Sequence, residues 1–369
     1  MGLKYRAAVL RQSGTPLAIE QVTGDDPAPA DVVVRVRAAG LCHTDLEVID
    51  GSLRYPLPMV LGHEASGIVE EVGSEVRHVR VGDHVILSWN PHCGHCFHCD
   101  RDQPILCDTY LGEGPKGLHF DGRSKAALAD GGELKHLMFL GAFAEICIVP
   151  AQQAIVVPRE IPFDRACLIG CGVMTGVGAA LNVADISYGD TVMVIGCGAV
   201  GLAALQGAVM AGAGCVIAVD LDDSKLALAT RLGARHTVNA NRQDPVEFAR
   251  SVSNGRGADV VLESAGHPMA FRQTTEAVRV GGQVIWLGKI DVTKDVGFRW
   301  GSLMGEKRLR RSSYGGARPL RDFPMLARAY LDGRLKLDEL ISGRIKLDDI
   351  NHGFEDLRAG KSIRTVIEF

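Results

Sequence analysis

Apolar and polar positions change rhythm twice along this chain. Up to about residue 90, short runs of β-branched and apolar residues at 4–10, 32–38, 66–72 and 84–88 are separated by Gly, Asp and Pro. That is the mark of strands bounded by turns, and Val81-Gly82-Asp83 reads as a turn into the last of them. Residues 108–140 are irregular and rich in glycine and charge, which predicts a long surface loop. Strand character returns at 142–149. From about residue 173, strand-like runs at 191–195, 215–220, 259–263 and 283–287 alternate with helical runs at 199–211 and 224–232. Alternation of this kind means βαβ units and a doubly wound parallel sheet, so the fold class is α/β. From about 315 the pattern predicts helices at 319–332 and 348–358 and a final strand at 364–369. There is no internal repeat and no low-complexity tract.

Bulk composition narrows the function. The 369 residues are enough for two domains, each with its own core. A hydrophobic share of 46% and a charged share of 23% are ordinary for a globular chain. The net charge of −4 offers no basic field for nucleic acid and no polybasic patch for an anionic membrane. Residues 192–219 carry no charge and match a bilayer span in length. The stretch is dense in Gly and Ala and is broken early by a Gly-rich turn, which reads as a buried strand, turn, helix and strand. The first residues lack an apolar signal core, and Arg6 stands where myristoylation wants Ser or Thr. A cytoplasmic location is expected. The ten cysteines, with Cys-x-x-Cys spacing in a chain of this length, favour reduced thiols and metal over disulfides.

Gly196-Cys197-Gly198-Ala199-Val200-Gly201 matches G-x-G-x-x-G. The match gains weight from its context, a strand before it, a helix opened by it, and a second strand ending at Asp220. The first two glycines allow a tight turn and close approach of a pyrophosphate, and the third lets helix and strand pack closely. Free N–H groups at the helix start favour phosphate. Asp220, nineteen residues after Gly201, stands where an acid binds a ribose 2′-hydroxyl and repels a 2′-phosphate, so NAD is expected rather than NADP.

Cys93, Cys96, Cys99 and Cys107 crowd into one short stretch. Short spacing costs little loop-closure entropy, and four thiolates complete a closed tetrahedral site. The lobe at 91–107 therefore reads as a zinc staple, with His92, His95 and His98 as solvated neighbours. A nucleic-acid zinc ribbon would bring basic and aromatic residues, whereas this one has only Arg101 and Phe97 beside Asp100, Asp102 and Asp108.

Cys42 in Gly-Leu-Cys-His-Thr-Asp at 40–45, His63 in Gly-His-Glu at 62–64, and Cys171 in Gly-Cys-Gly-Val-Met-Thr-Gly at 170–176 are too far apart for spacing to join them. Taken with the cysteine lobe, the glycine fingerprint and Ser-Ile-Arg-Thr at 362–365, the chain resembles the zinc-dependent medium-chain alcohol dehydrogenases along nearly its whole length. Those enzymes are the standing example of a catalytic Cys2His zinc, so this assignment comes from the resemblance and not from spacing. The resemblance implies a β-rich GroES-like catalytic domain at 1–172 and 315–369 and a Rossmann NAD-binding domain at 173–314. It implies two zinc ions per chain, one held by Cys42, His63 and Cys171 with Glu64 close by, the other by the four clustered cysteines. Asp45 would orient His63, and Thr44 would take the substrate proton. His43 and Arg364 would meet the pyrophosphate of NAD, Lys225 the adenosine ribose, and Thr175 the nicotinamide. Zinc lowers the pKa of an alcohol it binds, and hydride passes to NAD.

Two positions depart from relatives. Glu47 stands where several of them end the proton relay with a histidine; a relay carboxylate and a solvated helix residue are both open. Trp89 matches an aromatic beside the substrate and would narrow the pocket near the zinc; packing against the cysteine-rich lobe is the other reading. Phe139 and Leu140, at the end of the long loop, are candidates for an apolar wall. These residues point to a hydrophobic primary alcohol, aromatic or medium-chain, and to the aldehyde in reverse. The alternative is oxidation of a formaldehyde–thiol adduct, which needs anion-binding residues; Lys116, Arg123 and Lys125 lie in the right loop. A nucleotide-binding structural relative without activity would have lost a ligand, but Cys42, Thr44, His63 and Cys171 are all present. The resemblance also implies a homodimer or homotetramer joined through the cofactor domain.

Overall fold

The computed structural model describes residues 2–369, which form two compact units. One comprises the chain up to Cys171 together with Arg318–Phe369, the other Gly172–Ala317.

In the first unit, strand alternation feeds two cores at once. Along Leu3–Leu10, Tyr5, Ala7 and Val9 enter one buried cluster while Ala8 and Leu10 enter another. Along Asp31–Gly40, Val33 joins the first cluster, and Val32, Val34 and Val36 the second. Opposite faces of one strand carry these two sets, so each strand is apolar on both sides. Leu3–Leu10 lies within a five-stranded sheet and Asp31–Gly40 within a seven-stranded one. The last strand, Arg364–Glu368, pairs antiparallel to Asp31–Gly40 with Val366 opposite Gly40. That pairing returns the end of the chain to the residues just before Cys42.

Residues 108–140 depart from the expected loop. They form a helix at Asp108–Glu113 and strands at Ala126–Leu128 and Lys135–His136. Those strands pair with Ala18–Gly24 and Met59–Val60, partners so distant in sequence that local pattern carries no sign of them. The segment also has an interior. His119 and His136 are buried with ring centroids 5.9 Å apart, and neither ring nitrogen of His119, nor Nδ1 of His136, has a hydrogen-bond partner. Burial, with Lys125 and Lys135 nearby, pushes His136 down to about 4, and burial with His136 and Lys125 lowers His119.

The pH dependence of this pair has a definite sign. An unfolded histidine takes its proton near pH ~6.5. Folded His136 resists until about 4. Stability is therefore present above pH ~6.5 and lost on acidification, by up to about 3 kcal/mol for this residue. Denaturant midpoints followed from neutral pH to near 4.5 are expected to fall less steeply for His136→Gln than for the parent chain. Equal slopes would remove His136 from the account.

The second unit holds a six-stranded, all-parallel sheet in the order His236–Asn239, Cys215–Asp220, Thr191–Ile195, Ala258–Glu263, Val278–Trp286, Arg308–Arg311. The uncharged stretch resolves into strand Thr191–Ile195, helix Ala199–Met210 and strand Cys215–Asp220. The helix is apolar around most of its circumference because it is buried there. Helix Met174–Gly178 lies against it; a Cβ on Gly176 would sit 2.3 Å from the Val200 carbonyl oxygen, so only glycine allows the approach. The stretch Phe163–Val183 is long and apolar enough to cross a membrane, and 78% of its most apolar window is buried in the protein, as in a core helix. Arg308–Arg311 escaped the pattern reading because three of its four residues are arginine, a composition suited to a sheet edge.

Candidate active site

The backbone brings Cys42, His63 and Cys171 together. The Leu41 N–H donates to the Thr365 carbonyl (2.9 Å), which fixes Cys42 at the start of helix His43–Asp50. Asp45, fully buried in the first turn, accepts the N–H groups of Cys42 (3.2 Å) and Gly62 (2.9 Å). Its Oδ1 also lies 3.1 Å from His63 Nδ1. Nδ1 is then the protonated nitrogen, and Nε2 presents its lone pair. Gly62 has φ +95°, and a Cβ there would sit 2.6 Å from the Phe143 nitrogen, so the turn before His63 requires glycine. A Cβ on Gly170 would lie 3.0 Å from the Leu87 carbonyl oxygen, and this close approach seats Cys171 beside the end of strand His84–Leu87.

These residues fit a zinc ion. The ligand atoms of Cys42, His63, Glu64 and Cys171 all lie within 4.8 Å of one another. Tetrahedral zinc places its sulfur ligands about 3.8 Å apart. His63 Nε2 and Glu64 Oε2 are buried with no hydrogen-bond partner, a costly state unless a cation accepts their lone pairs. A hydrogen bond from Cys171, reinforced by His63, lowers Cys42 well below the usual thiol range, while the same bond and burial raise Cys171. Burial pushes Glu64 up to about 7 against the pull of Arg364.

Arg364 is the main surprise among the polar residues expected here. It is buried, with Nη2 3.2 Å from Glu64 Oε1 and 4.0 Å from Cys42 Sγ. The structure thus places it against the metal ligands, where the strand pairing of Val366 with Gly40 carries it. Thr44 and Glu47 are half-buried and His43 exposed on helix His43–Asp50.

The expected apolar wall needs correction. Phe139 is fully buried, its ring 5.5 Å from Tyr110, 5.4 Å from His119 and 4.9 Å from Phe120, and Leu140 is buried in the main core. Left-handed backbone at Met138 (φ 53°) and Phe139 (φ 65°) turns this segment inward. Trp89 is half-buried, 6.4 Å from the ring of Tyr110. Tyr110, three positions after Cys107, joins Cys107 and Phe139 in a small core against which Trp89 and the other three clustered cysteines pack. Lys116 pairs with Glu113 (2.9 Å), and Lys125 is buried between Asp31 (3.0 Å) and Asp121 (2.6 Å). Two of the three cations expected as anion anchors, Lys116 and Lys125, are thereby engaged by carboxylates, while Arg123 bonds Asp121 through its backbone N–H (3.1 Å).

The four clustered cysteines also converge, with ligand atoms within 4.8 Å of one another. The N–H groups of Cys93 and Asp108 point at Cys107 Sγ (3.3 Å) and Cys96 Sγ (3.4 Å), as backbone donors do at thiolates. The convergent ligand atoms are those of the four cysteines alone; His95 Nδ1 lies 2.9 Å from the Cys93 carbonyl and His98 Nδ1 3.1 Å from Gln103 Oε1. Arg101 stacks on Phe97, and Arg318 pairs with Asp102.

In the second unit the glycines divide their work. Gly196 has φ +92°. A Cβ on Gly201 would lie 1.7 Å from the Gly196 carbonyl oxygen, whereas one on Gly198 would meet nothing within 4 Å. Gly201 therefore serves helix–strand packing, and Gly198 keeps space open for a ligand at the start of helix Ala199–Met210. The first N–H groups there, on Ala199, Val200 and Gly201, have no helical acceptor. Asp220 accepts N–H bonds from Cys197 (2.6 Å), Leu221 (2.8 Å) and Asp222 (3.0 Å), which ties the strand end to the glycine turn. Lys225 and Thr175 are half-buried on helices Asp223–Arg231 and Met174–Gly178.

Comparison with known proteins assigns the class. Residues 28–159 match the alcohol dehydrogenase GroES-like domain, and residues 199–330 match the zinc-binding dehydrogenase family. The chain belongs to the zinc-dependent medium-chain alcohol dehydrogenases, NAD-dependent oxidoreductases with a GroES-like domain and a Rossmann-like parallel sheet. It is 35% identical to the class-3 alcohol dehydrogenase of Cereibacter sphaeroides, over 100% of both chains. It is 37% identical to the S-(hydroxymethyl)glutathione dehydrogenase of Komagataella pastoris, covering 99% of this chain and 97% of that one. Among solved structures it resembles the benzyl alcohol dehydrogenase of Acinetobacter calcoaceticus, with TM-score 0.94, 32% identity, and 100% and 99% of the two chains covered. The four-cysteine cluster is the structural zinc site, and Cys42, His63 and Cys171 form the catalytic one.

Proposed function

We propose that the chain oxidises an aromatic or other hydrophobic primary alcohol to the aldehyde, reversibly, with NAD as hydride acceptor. The observation that carries the substrate class is the whole-chain likeness, at 32% identity, to a solved benzyl alcohol dehydrogenase; Trp89 and Tyr110 themselves pack with Cys107 and Phe139 against the four-cysteine lobe. When bound, zinc polarises the alcohol oxygen and NAD takes the hydride. The protein's own groups do the rest. Asp45 holds His63 in the tautomer that frees Nε2. The Thr44 hydroxyl accepts the substrate proton and hands it toward Glu47 on the same helix or to water. Glu64 stays beside the thiolates with Arg364 balancing its charge. Gly196, Gly198, Ala199, Val200 and Gly201 receive the pyrophosphate, with His43 and Arg364 as its cationic partners. Asp220 and Lys225 meet the adenosine ribose, and Thr175 the nicotinamide. In this reading residues 1–172 and 315–369 are the catalytic domain and 173–314 the cofactor domain.

A second substrate reading has more support among the named relatives. Relatives from Paracoccus denitrificans and Komagataella pastoris carry the name S-(hydroxymethyl)glutathione dehydrogenase, which favours a formaldehyde–thiol adduct. Against it stand Lys116 and Lys125, each already held by carboxylates. A panel of benzyl alcohol, octanol, ethanol and formaldehyde with glutathione, run with NAD and NADP, decides. The first reading expects benzyl alcohol and octanol to exceed ethanol in kcat/KM with NAD. Turnover confined to formaldehyde with glutathione would replace it by the second.

A homo-oligomer is part of the proposal. Arg308–Arg311 is an open sheet edge through which a second copy could extend the sheet, and Val280, Val292, Trp300 and Met304 of the same unit are exposed apolar residues. The ordinary charge and reduced thiols support a cytoplasmic location.

A further inference from the structure

A buried carboxylate ends the strand beside the glycine turn. Glu263 is the last residue of strand Ala258–Glu263, which pairs with Thr191–Ile195 on one side and Val278–Trp286 on the other. The strand order reverses between Thr191–Ile195 and Ala258–Glu263, and in open parallel sheets the crevice at such a reversal receives the ligand. The Glu263 side chain is fully buried. Its Oε1 accepts the Gly266 N–H at 2.7 Å, and its Oε2 has no hydrogen-bond partner. A Cβ on Gly288 would lie 2.6 Å from that Oε2 and 2.4 Å from the Gly266 nitrogen, so the loop after the next strand closes directly on the carboxyl. The loop that Glu263 holds also touches the glycine turn. Ser264 Oγ donates to the Gly196 carbonyl (2.9 Å), and a Cβ on Gly196 would lie 2.7 Å from the Ala265 nitrogen. Burial pushes Glu263 up to about 7, while the N–H groups of Gly266, Ala265 and Gly288 and the Arg311 guanidinium favour its charge. Arg311 ends the edge strand. The other ionisable groups at the ends of adjoining elements are His267 before helix Pro268–Ala277 and Lys289 on the facing loop, both exposed, and Cys197 and Asp220 around the glycine turn.

We propose that Glu263 is a positioning residue for NAD: its carboxylate binds the loop 264–266 through backbone N–H groups, seats Gly288 against it, and so holds the glycine turn in the shape that receives the cofactor. Hydrogen bonds to an ionised acceptor are about twice as strong as neutral ones, so the ionised form holds the loop more firmly than the protonated one. Folding and NAD binding then favour opposite forms of the carboxyl. Its value is raised in the folded chain, so the stability it contributes is present below the ordinary 4.5 and is lost as pH rises through about 7. NAD, in contrast, binds the ionised form better, and its advantage grows over the same rise. The inference rests on the glycine turn being the dinucleotide site and does not depend on which alcohol is oxidised.

Fluorescence titration of NAD into the zinc-loaded parent chain and Glu263→Gln, across neutral pH, tests the proposal. Glutamine keeps the shape and an acceptor for the Gly266 N–H but carries no charge at any pH, and the ratio of the two Kd values cancels every titration the chains share. Glu263→Gln is expected to bind NAD like the parent at about pH 6 and about fivefold more weakly at about pH 8.5, the scale of one hydrogen bond. Melting without NAD should run the other way. Glu263→Gln no longer buries a charge, so at about pH 8.5 it should melt at or above the parent. A purely structural role for Glu263 would lower melting temperature and affinity together at every pH. A variant that melts below the parent or does not fold therefore overturns the proposal, and so does a Kd ratio that stays within twofold of its low-pH value throughout. Failure of the parent chain itself to bind NAD at any pH would overturn the dinucleotide reading of the glycine turn as well.

Discussion

Cys171→Ala is expected to lower kcat/KM on the best alcohol by about a thousandfold or more, because it removes a ligand that only the catalytic site uses. Lewis-acid stabilisation of developing charge contributes several kcal/mol, and each ~1.4 kcal/mol is tenfold in rate. The fold should survive. Cys171 lies among Cys42, His63 and Glu64 and has no part in the four-cysteine lobe, whose ligands come from residues 93–107. Circular dichroism and thermal melting are therefore expected to stay close to the parent while NADH formation disappears. Activity within tenfold of the parent would show that the three dispersed residues do not form the reacting centre.

Gly201→Ala should have the second largest effect, and its contrast with Gly198→Ala makes it informative. At Gly201 the new Cβ lies 1.7 Å from the Gly196 carbonyl oxygen and 2.5 Å from Ser264 Oγ. The turn and the helix cannot both stay in place, so about 3 kcal/mol of stability should go, with tenfold or weaker NAD binding. At Gly198 the new Cβ meets no protein atom within 4 Å. That variant is expected to melt like the parent yet bind NAD more weakly, since the methyl occupies space the pyrophosphate needs. Melting curves with and without NAD, and a fluorescence titration of NAD, separate the two. If both variants melt and bind like the parent, the glycine turn is not the dinucleotide site.

What the sequence disclosed follows from how far apart the participants lie. The four clustered cysteines and the glycine turn are local, so spacing and context revealed both chemistry and place. Cys42, His63 and Cys171 meet through tertiary devices that leave no local trace: Leu41 bonded to Thr365, Gly170 against Leu87, and Gly62 against Phe143. Resemblance supplied that set, and the structure supplies its physical reason. Arg364 shows the same limit. Its motif marked it as functional, but only the pairing of Val366 with Gly40 reveals that it sits on Glu64. The segment 108–140 misled for a related reason. Its glycine and charge content describes its surface, while its interior of His119, Phe139 and His136 is closed by strands whose partners lie around residues 18–24 and 59–60.

The central claim is that two zinc centres of different kind share this chain and that only the dispersed one reacts. Metal counting on the purified parent, Cys171→Ala and Cys99→Ala, with NADH formation measured on the same samples, tests it directly. The result expected is two zinc ions per chain in the parent and one in Cys171→Ala, with turnover abolished there. Cys99→Ala should lose the other zinc together with thermal stability, and retain turnover at temperatures where it stays folded. One zinc in the parent, or full turnover by Cys171→Ala with its zinc retained, would contradict the account.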